Sequence, residues 1–463
     1  MTTTQPSAGT ARRNITPDWP VMLAGFGQRT TPSTGINDPI FAKALYLASG
    51  ADALLIVTAD LLCIPAPLGR AVISAVAAQT GLAPEQVCVC ASHTHSAPMP
   101  VDAHDGATGI ERYAVFVERA LIDVAIGARA ASRPCRLRSG VGHSDVFLNR
   151  RTRGNPNVVD PRVAVLAVDA AETGAPIAVL FGVGCHPVTM GWDNMRISAD
   201  FPGHAQQRIE VALPGVNALF FNSTEGNVIP RTSPNLDALD PRGYCGGGYT
   251  NTVTIGSTIA AEVLRVRDES PTVDHLALDA RRADLRIMPN NSALDAATAA
   301  ARFAEARGTL QEFLGVDFEA AVPTSRLWSA ASQRVIDADL SETDMRRLMI
   351  ACCFYLGLRQ RLERGASPRP VEVPVQVMRI NEFELLALPG EVLVEVGQEW
   401  SRRTGSNSAF IIGLANAHLR YLPAAAHFAE AQASVRYETV TAGLEPNGVE
   451  QALDAAVQLR SAM

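Results

Sequence analysis

The chain has 463 residues, of which 47% are hydrophobic and 19% are charged. This balance excludes intrinsic disorder as the main state, because such a chain can build a sizeable core. The formal net charge is −7, from 40 Lys and Arg against 47 Asp and Glu, and no arginine pair extends into a basic stripe, so no nucleic-acid partner is expected.

The N-terminal segment is polar. Residues 1–14 predict a disordered tail, and they lack the apolar run of a secretory signal. The longest apolar runs are strand-sized and interrupted, so we expect no stable membrane insertion. The eight cysteines are scattered without any C-x-x-C spacing, which is typical of reduced thiols. These features predict a cytoplasmic protein.

From residue 15 onward, short apolar runs alternate with alanine-rich stretches. This alternation predicts an α/β fold, with a mixed or largely parallel sheet flanked by helices. The predicted strands are 53–59, 86–91, 177–184, 218–221, 383–388 and 409–414, and the predicted helices between them include 71–79 and 112–131. Residues of about 290–365 have helical periodicity and predict a helical insertion, which packs on the parent domain or forms a dimer contact.

Almost every predicted strand is followed by a polar group that is able to bind a metal. In open α/β sheets, ligands bind outside the carboxyl ends of the strands, so these groups are the candidates for a functional site. They are Asp60, the segment Ser92-His93-Thr94-His95-Ser96, Cys185-His186, the segment from Asn222 to Asn227, Pro389-Gly390-Glu391, and the segment from Asn416 to Tyr421.

Three of these histidines predict a zinc site. His93 and His95 are two residues apart, and on an extended backbone such side chains point the same way. His186 joins them from another strand end, and Glu391 offers an anionic oxygen, which is the donor set of catalytic zinc. Asp60 either binds the metal or orients a ligating histidine. We expect His418 to approach the pocket from a loop.

Serine catalysis is an alternative use of the same segments. Ser92 and Ser96 flank the histidines, and Ser223 lies in a turn, so a nucleophilic Ser-His arrangement is open at this point. The chain has no G-x-S-x-G elbow. Serine-reactive reagents would inhibit such an enzyme, whereas chelators would not.

The motifs resemble the catalytic domain of the neutral, non-lysosomal ceramidases. The matching segments, in family order from about residue 15 to residue 440, are Ile15-Thr-Pro, Ala24-Gly-Phe, Gly35-Ile-Asn-Asp-Pro, Asp60-Leu-Leu, Ala91-Ser-His-Thr-His-Ser, Leu148-Asn-Arg, Cys185-His-Pro, Ala199-Asp-Phe-Pro-Gly, Gly226-Asn-Val, Leu388-Pro-Gly-Glu, Tyr421 and Arg436-Tyr-Glu.

The resemblance implies a zinc amidase. The positions that match the family's zinc ligands are His93, His186, Glu391 and Tyr421. Those that match residues around the scissile amide are His95, Arg150 and Tyr437. His95 and Tyr437 would assist proton transfer or hold the oxyanion, with His95 as the proton shuttle. Arg150 would donate to the oxyanion or recognise a substrate carboxylate.

The chain departs from the family at one position of the site. Ceramidases carry Gly-Asp-Val-Ser-Pro where this chain has Gly226-Asn-Val-Ile-Pro, so Ile229 replaces the active-site serine. We expect Asn227 and Ile229 to line the substrate pocket, with apolar contact at Ile229. The chain also has no room for the β-sandwich domain that follows in ceramidases, which makes a secreted sphingolipid hydrolase unexpected.

The sequence therefore predicts a single zinc-hydrolase catalytic domain over residues 15–463. A zinc-activated water would cleave the N-acyl amide bond of a small substrate, without the serine. A zinc lactonase or esterase with the same site, and a non-catalytic metal-binding protein, are the alternatives. A homo-oligomer is left open.

Overall fold

The computed structural model describes residues 5–26, 29–100, 108–151, 157–232, 248–314, 343–365, 367–430 and 437–463. Its strands are β1 (Ser7–Asn14), β2 (Gly35–Ile36), β3 (Phe41–Ser49), β4 (Asp52–Ala59), β5 (Val87–Ala91), β6 (Arg133–His143), β7 (Phe147–Asn149), β8 (Arg162–Ala170), β9 (Pro176–Val183), β10 (Arg196–Ile197), β11 (Asn217–Asn222), β12 (Val228–Pro230), β13 (Leu278–Ile287), β14 (Val371–Ile380), β15 (Phe383–Ala387), β16 (Glu391–Val392), β17 (Ala409–Ile412) and β18 (Tyr421–Leu422). Its helices are α1 (Ala66–Thr80), α2 (Thr108–Ala130), α3 (Asp200–Ala212), α4 (Tyr249–Glu269), α5 (Ala296–Leu314), α6 (Thr343–Glu363), α7 (Val394–Thr404), α8 (Ala425–Phe428), α9 (Tyr437–Val440) and α10 (Gly448–Ser461).

The largest sheet has eight strands in the order β11-β9-β8-β6-β1-β3-β4-β5. Its pairings are parallel at the two edges, β11 with β9 and β4 with β5, and antiparallel between them. The predicted α/β fold with a mixed sheet is thereby confirmed, and its largely parallel form is wrong. Short connections decide this, because β3 and β4 are joined by a tight turn at Gly50, where φ is +64°.

The predicted disordered tail is wrong for residues 7–14. They form β1, which pairs with β3 along its whole length, from Ser7 opposite Ala48 to Asn14 opposite Phe41. The segment is polar because its outward side chains pair across the surface, Arg12 with Glu210 among them. An alternating polar strand inside a sheet has too little apolar signal to be recognised by composition alone.

A second sheet has the order β13-β14-β15-β17 and packs face to face on the first. Leu45 and Leu166 of the large sheet share one apolar cluster with Leu385 and Phe410 of the small one. Helices α1 to α4 cover the outer face of the large sheet, and α7 and α10 cover the outer face of the small one. The predicted strands at 383–388 and 409–414 therefore belong to a separate sheet.

The predicted helical insertion is present as α5 and α6, which pack against each other. The part of the insertion between residues 315 and 342 lies outside the described residues. Helix α6 also contacts α9, at the edge of the candidate site. None of the described helices is long and apolar enough to cross a membrane.

Candidate metal centre

The site forms where the ends of strands from different parts of the large sheet meet. Asn222, the last residue of β11, donates from Nδ2 to the Ser92 carbonyl after β5 and to the Cys185 carbonyl after β9, each at 3.0 Å. This buried amide ties together the segments that carry the histidines. His93 and His186 thus come from strands that are distant in the order of the sheet.

His93 and His95 do face the same place, but an extended backbone is not the reason. Strand β5 ends at Ala91, and His93 has a left-handed φ of +71°. Such a conformation is costly for a residue with a Cβ and is retained where the surroundings enforce it. The turn places His93 Nε2 3.3 Å from His95 Nε2.

Main-chain carbonyls orient the two buried histidines. His93 Nδ1 lies 2.7 Å from the Leu62 carbonyl, and His186 Nδ1 lies 2.6 Å from the Glu225 carbonyl. A carbonyl oxygen only accepts, so each Nδ1 must carry a hydrogen. Burial and the neighbouring Arg150 lower the pKa of His186 to about 4. The neutral ring then leaves its Nε2 lone pair free for a metal.

Glu391 and Tyr421 are held opposite each other by a short parallel ladder. Strand β16 pairs with β18, with Glu391 in register with Tyr421. Glu391 Oε2 lies 3.4 Å from both His93 Nε2 and His186 Nε2. Tyr421 Oη lies 3.4 Å from His186 Nε2 and accepts a hydrogen bond of 3.1 Å from Arg150 Nη2. The four side chains predicted as zinc ligands are therefore adjacent.

This donor set fits a bound cation. The neutral His186 imidazole aims its Nε2 lone pair at the Glu391 carboxylate, and the two repel each other unless a positive charge lies between them. Nitrogen and oxygen donors of this kind are those that zinc prefers. The ring nitrogens of His93, His95 and His186 lie within 4.8 Å of one another, so His95 is a third nitrogen ligand available to the same ion.

His95 is bounded by apolar and main-chain groups. The Phe26 ring packs against it edge-on, with 4.8 Å between ring centroids, and Arg29 donates to the His95 carbonyl. Ile229 is buried and shares a small apolar cluster with Phe26 and Val188. Ile229 is thus part of the apolar cluster that borders His95.

Arg150 and Tyr437 lie on the other side of the site. Tyr437 packs edge-on against Tyr421, with ring centroids 5.2 Å apart. Arg150 Nη2 donates to the Gly226 carbonyl at 3.0 Å as well as to Tyr421, and it lies 3.6 Å from Glu438. The guanidinium therefore holds the tyrosine hydroxyl in place beside His186.

Asp60 does not orient a histidine. Its carboxylate accepts hydrogen bonds from the Phe41 N–H at 2.9 Å and from the Gln206 amide at 3.2 Å. Burial raises the pKa of Asp60 to about 6. The carbonyls of Leu62 and Glu225 orient the histidines in its place.

Asn227 holds the start of α7, whereas His418 lies next to Glu391. The Asn227 amide donates to Glu395 at 2.9 Å and accepts from the Val394 N–H at 3.0 Å, so both of its ends are used in holding the start of α7. His418 Nε2 lies 3.9 Å from Glu391 Oε1, so it reaches the metal centre as predicted. Burial lowers the pKa of His418 to about 4.

The serine arrangement has no support in the geometry. Ser92 Oγ has no hydrogen-bond partner within the described part of the chain, and Ser96 Oγ accepts from Asn194 Nδ2 at 2.9 Å. The motifs assign no individual role to Glu225, Glu438 or Arg29, although Glu225 lies within the candidate segment from Asn222 to Asn227 and Glu438 follows Tyr437. Glu225 orients His186 through its main-chain carbonyl, and such a role leaves no trace in the residue type.

The buried group of three histidines, which could hold a metal ion, lies in a mixed α/β fold that solved structures share. The structure resembles the neutral ceramidase from Pseudomonas aeruginosa with a TM-score of 0.71 and 20% sequence identity, over 99% of this chain and 74% of that chain. It also resembles a ceramidase complexed with C2 with a TM-score of 0.71 and 21% identity, over 99% of this chain and 75% of that one. The ceramidase resemblance inferred from the motifs is confirmed for the fold.

Sequence-level comparisons give no such match. No protein-family model and no curated protein sequence matches the chain. The likeness to ceramidases therefore lies in the fold and in the short motifs around the site.

Proposed function

We propose that the protein is a zinc-dependent hydrolase that cleaves the N-acyl amide bond of a small substrate, without the ceramidase serine. The observation that carries the proposal is the convergence of His93 Nε2, His186 Nε2 and Glu391 Oε2, with 3.4 Å from each nitrogen to the oxygen. The ceramidase-like fold supports the amide as the scissile bond. A cytoplasmic location is part of the proposal and rests on the sequence.

The bound metal would be held by His93, His186, Glu391 and Tyr421. Zinc in such a site would supply a Lewis acid, which polarises a carbonyl oxygen and lowers the pKa of water to about 7. Removal of this ion would leave the His186 lone pair facing the Glu391 carboxylate. The Leu62 and Glu225 carbonyls keep both histidines in the ligating tautomer.

The remaining chemistry falls to the chain's own side chains. His95 is positioned to accept a proton from the attacking water and pass it to the leaving nitrogen, because its ring adjoins that of His93. Burial lowers its pKa well below the usual value, so the ring is neutral and able to accept this proton first. Arg150 fixes the Tyr421 hydroxyl. Tyr437 offers a hydroxyl on the same side as Arg150 for a developing oxyanion, and one such donor is typically worth about 10²–10³ in rate.

A metal-binding protein without turnover is the second candidate. Ile229 favours it, because this buried side chain occupies the position of the family's serine and carries no proton donor. Bound zinc with no turnover of amides, lactones or esters would support this candidate. Turnover of lactones or esters alone would support a zinc esterase with the same site.

Metal analysis of purified variants tests the proposal. The wild type should contain about one zinc per chain, and His186→Ala should lose both zinc and activity. His204→Ala is the matched control, since His204 is a partly buried histidine that bonds to Ser257 away from the site. A protein purified without chelators that holds no zinc refutes the proposal.

His95→Ala separates the two roles of the H-x-H histidines. As a proton carrier, His95 is dispensable for the metal, so the variant should keep zinc and lose turnover. Loss of zinc instead would make His95 a ligand, as its place in the three-histidine group also allows.

A further inference from the structure

An acidic pocket lies beside the metal centre on the Arg150 and Tyr437 side. It has about 400 Å³ of empty space, part of which is open to solvent, and is lined by Arg151, Asn227, Leu393, Glu395, His427, Glu430, Glu438 and Thr439. Glu438 and Asn227 are buried at its floor, while Glu430 is exposed at its rim. Three carboxylates, one guanidinium and one imidazole thus lie among the described residues that line the pocket.

Glu438 presents an acceptor that the described residues leave unused. Its side chain is only 1% exposed. Oε1 accepts a hydrogen bond of 2.5 Å from Arg151 Nε, whereas Oε2 is buried and has no hydrogen-bond partner in the described part of the chain. A buried carboxylate oxygen without a donor is costly, and a cationic donor in the pocket would satisfy it.

Glu395 forms the opposite wall and is also ionised. It accepts from Asn227 at 2.9 Å and lies 3.5 Å from His427 Nε2. Burial raises the pKa of Glu395, but the hydrogen bonds from His427 and Asn227 outweigh this effect and lower it overall. An ammonium group in the pocket would replace His427 as the counter-charge of this carboxylate.

Ring contacts connect the apolar cluster around Ile229 to the pocket through the metal centre. Successive ring centroids are 4.8 Å apart for Phe26 and His95, 4.9 Å for His95 and His93, 4.7 Å for His93 and His186, 6.3 Å for His186 and Tyr421, and 5.2 Å for Tyr421 and Tyr437. His95 and His186 are also only 5.7 Å apart, so the three histidine rings form a triangle in the middle of this path. Glu438 follows Tyr437 directly, so the path begins at apolar side chains and ends at a carboxylate.

We propose that the pocket binds a primary ammonium group on the amine part of the substrate, so that the substrate class is an N-acyl diamine with an apolar acyl chain. Glu438 Oε2 and Glu395 are the acceptors for this ammonium. The substrate class rests on the proposed amide hydrolysis. The binding of an ammonium group does not, and it is measured separately.

A matched pair of amides tests the substrate class. N-hexanoyl tetramethylenediamine and N-hexanoyl pentylamine differ only in an ammonium or a methyl group at the end of the amine. The wild type should prefer the cationic amide by about tenfold or more in kcat/KM, since a hydrogen bond to a charged group is worth about that factor. Glu395→Gln should reduce the preference, because it removes the charge of one acceptor of the ammonium.

Glu399→Gln is the control, because Glu399 lies one turn further along α7 and pairs at the surface with Arg402 and Arg403. It removes the same charge from the same helix and should leave the preference intact. Equal kcat/KM values for the two amides in the wild type overturn the assignment of the substrate class.

Calorimetric titration with tetramethylenediamine alone measures the pocket without any hydrolysis. Saturable binding that Glu395→Gln weakens about tenfold supports the pocket, even if no amide is hydrolysed and the proposed function fails. No binding by the wild type overturns the pocket, even if amides are hydrolysed. Binding together with equal turnover of the two amides would make the pocket a site for free amines and overturn the substrate class.

Discussion

Replacing Ile229 by serine restores the residue type of the ceramidase position in a setting that has been packed for isoleucine. Ile229 is 2% exposed and contacts Phe26 and Val188 in a small cluster that adjoins His95. Strand β12 holds it opposite Leu148 of β7, so its backbone position is fixed. The serine side chain would leave a cavity in this cluster, and its hydroxyl would lie among apolar groups.

The cost follows from the burial. Removing the buried atoms of an isoleucine typically costs about 2–5 kcal/mol, and we expect about 3 kcal/mol for Ile229→Ser. With about 2.1 cal/mol/K per residue, a chain of 463 residues has an unfolding entropy of about 1 kcal/mol/K. The melting temperature should therefore fall by about 3 °C. Ile229→Val, which removes one methylene, should cost about 1 kcal/mol.

Calorimetry and hydrolysis assays on the same preparations check both consequences. The serine variant should be destabilised, should keep its zinc, and should gain no activity on N-acyl-sphingosine. A melting temperature equal to that of the wild type would show that Ile229 is not packed as described. Gain of N-acyl-sphingosine hydrolysis would show that a lipid pocket is retained and would refute the small-substrate proposal.

Three further predictions concern groups around the centre. Gly25→Ala should lower kcat at least about tenfold, since Gly25 has a φ of +94° and an added Cβ would lie 2.5 Å from the His95 ring, and zinc content should not change. Arg150→Lys should reduce kcat by about 10–100-fold and retain zinc, because the planar guanidinium fixes the direction of both hydrogen bonds from Nη2, to Tyr421 and to Gly226, whereas an ammonium on a flexible stem does not; an unchanged kcat would contradict the positioning role. Asp60→Asn should flatten the dependence of unfolding free energy on pH. The folded pKa of Asp60 is raised from 3.8 to about 6, so its contribution is full below the unfolded value and is lost as pH rises through about 6, by about 3 kcal/mol in all. Urea titrations from pH 4 to pH 8 measure this slope, and an equal slope in both proteins would contradict it.

Three of the proposed ligands were predictable from the sequence, because each lies in a short segment that follows an apolar run. His93, His186 and Glu391 each follow an apolar run that forms a strand or ends beside one, and the position of a polar residue after such a run is visible in the sequence. The identity of Tyr421 as a neighbour of Glu391 came from the resemblance alone. The structure supplies its reason, which is the β16–β18 ladder.

Other features depend on contacts that no local pattern encodes. Residues 7–14 resemble a tail because their apolar content is low, and they become a strand only because β3 and the start of β6 offer edges on both sides. Likewise, His93 adopts its left-handed φ because the loop after β5 is bonded to Ala59 and Leu61. Ala59 and Leu61 are far from His93 in the sequence, as β3 and β6 are from β1.

The sequence by itself therefore determined the α/β class, most of the strands around the site, and the chemical types of the ligands. These follow from the spacing of apolar residues and from the donor atoms of single side chains. The tertiary structure decided the antiparallel centre of the sheet, the carbonyls that orient the histidines, and the acidic pocket beside Glu438. Each of these depends on pairing between distant segments, whose free energy is a property of the whole fold.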